Sequence, residues 1–303
     1  MRFIKRLSTP VLLSSALLLG ACTSIAGTAG TPDSAASTAT HAVKFQQIRN
    51  ATIKLDYAGT TFLVDPMLAP KAAYPGFEGT RNSERRYPLV DLPVPASDVL
   101  NANAIILTHL HEDHWDLAAR NLVPRDMPIF TQNEADAATV RKDGFTDVRL
   151  LTQAGSTFNG TTLYKTGGQH GSDAMYAVPQ LKQLLGEAMG IVFQQPGYKT
   201  VYVAGDTIWR DDVEAALTRY QPDVIVLNTG YAQLQGFDGS IIMGKDDLYH
   251  AYQLAPNAQV IGVHMEAVNH AMLTRAELRD FIGQKRLDTQ RALVPDDGQS
   301  YEF

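Results

Sequence analysis

The chain is nearly free of cysteine: its 303 residues contain one, Cys22. A single cysteine cannot close a disulfide within the chain, and it cannot build a cage of thiolates around a metal ion. Any metal ion that this chain binds by itself must therefore be held by histidine, aspartate or glutamate side chains. Eight histidines are available for such a site.

Basic residues are not in excess either. The chain has 26 Lys and Arg against 32 Asp and Glu, and its formal net charge is -6. This balance argues against a nucleic-acid partner held on a basic face. Hydrophobic residues make up 45% and charged residues 19%, so we expect a buried core and not general disorder. The length allows one large domain or two small ones.

A long apolar run is also missing, but a short one lies near the amino terminus. It covers residues 11–19, follows the basic residues Arg2, Lys5 and Arg6, and is too short to span a bilayer comfortably. This is the pattern of a signal peptide. The sequence Leu-Gly-Ala-Cys that ends at Cys22 further resembles the lipobox of bacterial lipoproteins, which implies cleavage before Cys22 and lipidation of its thiol.

The expected consequence is a protein of the bacterial cell envelope with a signal peptide at residues 1–21 and a lipid anchor on Cys22. Thr23, in place of an Asp after the cysteine, favours the periplasmic face of the outer membrane. An ordinary secretory signal and a retained membrane helix are the alternatives. Residues 22–41, rich in Ala, Gly, Ser and Thr, are predicted to form a flexible tether, so the folded domain is expected at residues 42–303.

Short β-type runs and helical stretches fill the rest of the chain. Runs rich in β-branched and aromatic residues predict strands at 53–57, 61–64, 104–107, 161–165, 191–193, 201–203, 224–227 and 260–263. Helices are predicted at 134–142, 211–220, 245–254 and 274–282, the last with Thr274 and Glu277 as a capping box. The mixture indicates an α/β or α+β fold. Residues 70–97 predict a long loop of the kind that is often functional.

The densest chemical pattern is Thr-His-Leu-His-Glu-Asp-His at residues 108–114, directly after an apolar strand. Imidazoles suit zinc, iron or manganese, and a carboxylate adds an oxygen ligand. Three histidines and an aspartate are too many ligands for one open tetrahedral site that also binds water. The spacing therefore predicts two metal ions, one on His109 and His111 and the other on Asp113 and His114. A polar surface loop is the alternative.

Three further polar residues stand at the ends of predicted strands. His170 follows the strand at 161–165, Asp206 lies in Gly-Asp-Thr after 201–203, and His264 ends the strand at 260–263. Each of them alone is more often a structural residue. Together they supply a third ligand for each metal ion and a carboxylate that can bridge the two.

In these residues, the chain resembles the metallo-β-lactamase superfamily of hydrolases. The pattern His-x-His-x-Asp-His, the later His170, the Gly-Asp-Thr strand end and His264 all match, and the resemblance covers residues 45–283. It implies an α/β fold of the αββα sandwich type with metal ions at the sheet edges. Residues 50–66 and the Trp-Asp pair at 115–116 look most like the branch of L-ascorbate phosphate lactonase and N-acylphosphatidylethanolamine phospholipase.

The resemblance implies two divalent metal ions, zinc or else manganese or iron. Their implied ligands are His109, His111 and His170 on one ion, Asp113, His114 and His264 on the other, and Asp206 as the bridge. Two such ions would activate a water to hydroxide near neutral pH and polarise the scissile bond. Asp113 is expected to act in catalysis too, by orienting that water or shuttling its proton.

Three residues are weaker candidates around the metal ions. Asp65 ends a strand before Pro66 and could hydrogen-bond a ligand histidine, or it could be a simple turn residue. His270 lies six residues after His264 and could contact the metal ligands or the substrate, with a structural histidine as the alternative. Tyr231 could face the substrate pocket.

The preferred function is a metal-dependent hydrolase of an ester-like bond, such as a lactone, in a small molecule. A phosphodiesterase that acts on a phospholipid-derived or other phosphodiester is the first alternative, and the lipid anchor motivates it. A non-catalytic envelope binding protein on the same fold is an alternative of another class, although the complete set of ligands argues against it.

Overall fold

The computed structural model describes residues 41–303. The predicted signal peptide, the lipidation site Cys22 and the tether as far as residue 40 lie outside the described residues. His41, predicted as the last tether residue, pairs with Tyr198 in a short β-bridge, and the two rings stack with centroids 4.8 Å apart. Within residues 41–303, no helix is long and apolar enough to cross a membrane.

Two seven-stranded sheets form the centre of the domain. Their strands, in chain order, are β1 Lys44–Arg49, β2 Thr52–Tyr57, β3 Thr60–Val64, β4 Ala104–Ile106, β5 Ile129–Thr131, β6 Val148–Leu150, β7 Ser156–Phe158, β8 Thr161–Thr166, β9 Gly190–Gln194, β10 Val201–Val203, β11 Val224–Asn228, β12 Gln259–Val263, β13 Ala292–Leu293 and β14 Ser300–Glu302. The first sheet has the order β14-β1-β2-β3-β4-β5-β6 and the second β13-β12-β11-β10-β9-β8-β7. β3 to β6 run parallel to one another, as do β10 to β13, and the remaining pairs are antiparallel.

Helices connect many of these strands. In chain order they are α1 Ala96–Val99, α2 Leu117–Leu122, α3 Glu134–Lys142, α4 Asp173–Tyr176, α5 Pro179–Leu185, α6 Asp211–Tyr220, α7 Lys245–Leu254 and α8 Arg275–Gln284. The side chain of Asp116 caps the first turn of α2 by accepting a hydrogen bond from the Ala119 N–H at 2.7 Å. The predicted capping box of Thr274 and Glu277 is present at the start of α8.

Alternate residues of the central strands point into different cores. Phe62 and Val64 of β3 pack between the two sheets, whereas Leu63 packs on the outer side with residues of α2 and α3. β11 alternates in the same way between the inter-sheet core and the core under α6, α7 and α8. Burial on both faces explains why these strands are continuous apolar runs in the sequence. The layers are helix, sheet, sheet, helix, which confirms the predicted αββα sandwich.

The carboxyl ends of several strands lie at one edge of the sandwich, and the predicted site residues follow these ends. The two sheets are joined there by backbone hydrogen bonds, from Met189 N to the Thr108 carbonyl at 3.2 Å and from His264 N to the Asn50 carbonyl at 3.0 Å. The predicted site residues at these strand ends are Asp65 after β3, the 108–114 loop after β4, His170 after β8, Asp206 after β10 and His264 after β12. Side chains far apart in sequence are thereby brought to one place, as is usual for strand ends in α/β folds.

Candidate metal centre

The seven predicted ligand side chains converge at this edge. They form three overlapping groups, in each of which the ligand atoms lie within 4.8 Å of one another: His109, His111 and His170; His109, His114 and Asp206; Asp113, His114 and His264. Asp206 Oδ2 lies 3.1 Å from His114 Nε2 and 3.5 Å from His170 Nε2, so this carboxylate stands between the first and the last group. The residues that the resemblance implies as ligands therefore lie together, and the number of ions that they hold stays a prediction.

Hydrogen bonds on the outer side of the cluster orient two of the histidines. Asp65 accepts hydrogen bonds from Thr108 N at 2.8 Å, from Thr108 Oγ1 at 2.6 Å and from His114 Nδ1 at 2.8 Å. Because the Thr108 hydroxyl donates to Asp65, it must accept from His109 Nδ1, which lies 3.1 Å away. His109 and His114 therefore carry their protons on Nδ1, and both present the lone pair of Nε2 to the centre.

Backbone carbonyls fix two more imidazoles in the same manner. His170 Nδ1 lies 2.8 Å from the carbonyl oxygen of Ile241, and His111 Nε2 lies 2.9 Å from that of Leu184. A carbonyl oxygen can only accept, so both ring nitrogens donate. His170 thus presents Nε2 to the cluster, and His111 presents Nδ1.

Lone pairs that face one another need a positive charge between them. His109 Nε2 and His111 Nδ1 form such a pair, 2.9 Å apart. His114 Nε2 also lies 3.1 Å from His264 Nε2. Burial alone would lower the pKa of His114, but the carboxylates of Asp206, Asp113 and Asp65 raise that pKa well above its usual value. A position that attracts a proton so strongly also attracts a divalent cation. Five imidazoles and two carboxylates fit zinc, manganese or iron.

The two carboxylates inside the cluster are held in their charged form. Burial alone would raise the pKa of Asp113 and of Asp206, but nearby histidines, His114 first, lower both pKa values well below the usual range. Asn228 Nδ2 donates to Asp206 Oδ1 at 2.6 Å, and Asn50 Nδ2 donates to the carbonyl oxygen and to Oδ2 of Asp113 at 3.1 and 3.3 Å. Neither asparagine was predicted from the sequence to belong to the site.

The turn that carries Asp206 requires glycine at the position before it. Gly205 has φ +70°, in the left-handed region, and a Cβ atom there would lie 2.3 Å from the carbonyl oxygen of Met189. Any other residue would have to displace the backbone at Met189, just before β9. The Gly-Asp-Thr signal in the sequence therefore has a steric cause.

A cavity of about 400 Å³ opens onto the cluster. Its wall includes His111, Asp113, His170 and Asp206. The apolar part of the wall is made by Phe77, Leu110, Leu184, Leu185, Leu234 and Ile241, and the remaining polar part by Glu78, Thr80, Glu112 and His270. No Lys or Arg among residues 41–303 belongs to this wall.

The structure places the three weaker candidates at different positions relative to the cluster. Asp65 holds His114 and Thr108 as described, and His270 belongs to the cavity wall. The placement of Tyr231 in the substrate pocket was wrong. Tyr231 has φ +50°, its N–H bonds the carbonyl of Met243 at 3.0 Å, and its half-exposed ring packs against Gly244 in a separate cavity.

Comparison with known proteins decides the family. The profile of the beta-lactamase superfamily domain matches residues 60–265, a range that contains all seven candidate ligands. The chain belongs to the metallo-β-lactamase superfamily. This confirms the family prediction, while the narrower likeness to the lactonase and phospholipase branch stays a prediction.

Superfamily members that cover almost the whole domain are similar to this chain. UPF0173 protein YddR of Bacillus subtilis (strain 168) is 45% identical over 258 residues, which are 85% of this chain and 98% of that protein. Solved structures of isothiocyanate hydrolase from Delia radicum gut bacteria and of a possible metal-dependent hydrolase from Veillonella parvula are each 48% identical. Each match covers 86% of this chain and 99% of the other, with TM-scores of 0.83 and 0.84. The chain is a metal-dependent hydrolase of this superfamily.

Proposed function

We propose that this chain is a two-metal hydrolase that adds water to a small, uncharged electrophile with an apolar group, and that isothiocyanates are its substrate class. The observation that carries the proposal is the cavity at the histidine cluster, whose wall is largely apolar and, within residues 41–303, free of Lys and Arg. The similarity to an isothiocyanate hydrolase, at 48% identity over 86% of this chain, supports the same class.

The charges around the cavity argue against an anionic substrate. Glu78 and Glu112 add negative charge to the wall, and Tyr87 donates a hydrogen bond to Glu112 Oε2 at 3.1 Å. Enzymes that act on phosphoryl groups commonly clamp the phosphate with Arg or Lys in addition to metal ions. A phosphodiester would meet no such clamp here, so the phosphodiesterase alternative is disfavoured.

Each part of the site has a role in such a reaction. When bound, two divalent ions lower the pKa of a water molecule and polarise the electrophile. The Asp113 carboxylate, which stays charged, can accept a hydrogen bond from the attacking water and orient it. Leu184, Leu185 and the other apolar residues of the wall hold the substrate's apolar group and exclude bulk water.

The reaction on an isothiocyanate is an addition followed by a fragmentation. The oxygen of water bonds to the central carbon, the π pair of the C=N bond moves to nitrogen, and nitrogen takes up a proton while the water loses one. The product, R–NH–C(=S)–OH, then breaks its N–C bond as the hydroxyl proton passes to nitrogen, which gives the amine R–NH₂ and carbonyl sulfide. One water is consumed for each isothiocyanate.

A carboxylic ester or lactone is the second candidate substrate. The same uncharged, apolar wall accepts a cyclic ester, and two metal ions serve the attack of water on a carbonyl carbon equally well. Discrimination between the two classes rests on the products, an amine with carbonyl sulfide in one case and a hydroxy acid in the other.

The test combines metal analysis with a substrate panel. We expect purified protein to hold about two metal ions per chain and to hydrolyse benzyl isothiocyanate faster than a lactone, a thioester, a phosphodiester or a β-lactam. His109→Ala should lose both metal and turnover, whereas His250→Ala, whose ring stacks on Trp209 outside the cluster, should lose neither. A folded protein that hydrolyses the substrate without metal would refute the proposal, and ligand binding without turnover would favour the binding-protein alternative.

A further inference from the structure

One histidine of the cavity wall belongs to none of the three ligand groups found among residues 41–303. His270 lines the cavity together with His111, His170 and Asp113, yet it is not among the side chains whose ligand atoms converge. Its side chain is 7% exposed. This buried ring lies beside the metal cluster but is not one of its candidate ligands. It is therefore available to contact a bound substrate.

The position of His270 is fixed by its neighbours. The side chain of Asn269 donates hydrogen bonds to Thr80 Oγ1 and to the Arg81 carbonyl, both at 2.8 Å, and accepts one from Phe77 N at 3.0 Å. The ring of Phe77 stands edge-on to the imidazole of His270 with centroids 5.0 Å apart. The carbonyl of His270 accepts from Gln233 N at 3.1 Å. This residue is therefore held in place before any substrate arrives.

The surroundings of the ring select its tautomer. Nδ1 of His270 is buried and has no hydrogen-bond partner among the described residues. A buried N–H without a partner is rarer and more costly than a buried acceptor without one. The proton therefore resides on Nε2. Because Nδ1 is turned into the protein while the ring lines the cavity, Nε2 is the nitrogen that a bound substrate can reach.

The ring is also uncharged at neutral pH. Burial lowers the pKa of His270 to about 4. Metal ions in the neighbouring cluster would disfavour a second proton further. His270 thus offers one N–H to the cavity and no acceptor, so it is suited to donate a hydrogen bond and not to act as a base.

We propose that His270 is a catalytic residue whose Nε2–H donates a hydrogen bond to the substrate atom on which negative charge builds up. For an isothiocyanate, this atom is the nitrogen that receives the π pair when the oxygen of water bonds to carbon. His270 keeps its proton throughout, and the proton that nitrogen finally takes is balanced by the one that water releases. The substrate named in this assignment rests on the proposed function. The identity of the donor rests on the geometry of the cavity.

Three variants test the role of the hydrogen bond. His270→Phe keeps a ring of similar size against Phe77 but removes the donor, His270→Gln restores an N–H donor, and His250→Phe is the matched substitution outside the cavity. We expect kcat on benzyl isothiocyanate to fall about 10²-fold in His270→Phe, with KM changed far less, because the bond strengthens as charge develops. The Gln variant should recover part of the loss, and His250→Phe should match the wild type. Metal content and thermal unfolding should be unchanged in all three.

A second measurement does not depend on turnover. In zinc-loaded protein labelled with ¹⁵N-histidine, the two-bond nitrogen–proton spectrum at neutral pH should show His270 as the neutral Nε2–H tautomer, assigned by its absence in His270→Gln. An Nδ1–H tautomer or a charged ring would overturn the assignment, as would a His270→Phe variant with wild-type kcat. Wild-type protein inactive on every isothiocyanate would instead refute the proposed substrate, and the tautomer would still decide the donor.

Discussion

Asp65 illustrates how one side chain outside the cluster determines what lies inside it. Its two oxygens accept three hydrogen bonds, from the N–H and hydroxyl of Thr108 and from His114 Nδ1. Through Thr108 it also sets the tautomer of His109. A single carboxylate therefore directs the lone pairs of two candidate ligands toward the two predicted ions.

Replacement of Asp65 by Asn should weaken metal binding. An amide has one oxygen and one NH₂ group, so it must direct its NH₂ at a donor, either the Thr108 N–H or His114 Nδ1. We expect metal affinity to fall about 10- to 100-fold, as for other partners of ligand histidines. Competition with a chromophoric chelator measures this loss. Asp56→Asn is the control, since that exposed carboxylate bonds only Thr61 among the described residues, and equal affinities in both variants would contradict the role of Asp65.

Single residues differ in how well their roles can be predicted from sequence. Asp206 and His264 could be found because each follows an apolar strand, and Asn228, which ends β11, carries the same signal. Asn50 had no signal of this kind. It lies in the hairpin between β1 and β2, and only the tertiary fold brings its amide to Asp113. Tyr231 was misplaced because a positive φ at a tyrosine cannot be read from the sequence.

At the level of elements, eight strands and the four long helices could be predicted within two residues. They have strong local signals: buried β-branched runs for the strands, and acidic first turns or a capping box for the helices. Six strands were missed: β1 has polar residues between its apolar ones, and β5, β6, β7, β13 and β14 have only two or three residues each. No element was predicted at residues 172–188, yet they contain the short helices α4 and α5, which carry Leu184 and Leu185 to the cavity.

The capping box of α8 makes a testable contribution to stability. The Glu277 carboxylate accepts hydrogen bonds from Thr274 N at 2.9 Å and Thr274 Oγ1 at 2.8 Å, and these bonds lower its pKa below the usual 4.5. A lowered pKa in the folded state means that the stabilisation is present above pH 4.5 and is lost as the pH falls through the folded-state value.

Glu277→Gln should therefore lower the free energy of unfolding at neutral pH only. Since Glu277 is almost fully exposed and screened by solvent, we expect a loss of about 0.5 kcal/mol. The gap to the wild type should shrink at about pH 3.5, where the carboxylate is increasingly protonated. Urea unfolding at the two pH values measures both effects. Glu302→Gln, an exposed substitution outside any helix, should show neither, and a gap that persists in acid would exclude the carboxylate as its source.

The two sheets of the domain have the same number of strands and the same arrangement of strand directions. Each has seven strands, antiparallel on one side and parallel on the other, and the candidate ligands are divided between them. His109, His111, Asp113 and His114 follow the first sheet's β4, whereas His170, Asp206 and His264 follow strands of the second. No repeat is visible in the sequence, because strand order and sheet packing depend on non-local pairing. The positions of these residues at strand ends suggested that the two sets meet, and the family resemblance implied the same.

The site of action of the whole molecule depends on Cys22, for which we propose a lipid anchor in the cell envelope. In cells that express the full chain, wild-type protein should enter the detergent phase of a Triton X-114 extract and incorporate labelled palmitate. Cys22→Ala should incorporate no label, because its side chain lacks the thiol that the lipid modifies. An ordinary secretory signal predicts a different outcome, namely aqueous partition and no label for both proteins. Identical behaviour of wild type and Cys22→Ala would thus contradict the anchor while leaving the metal centre and its chemistry untouched.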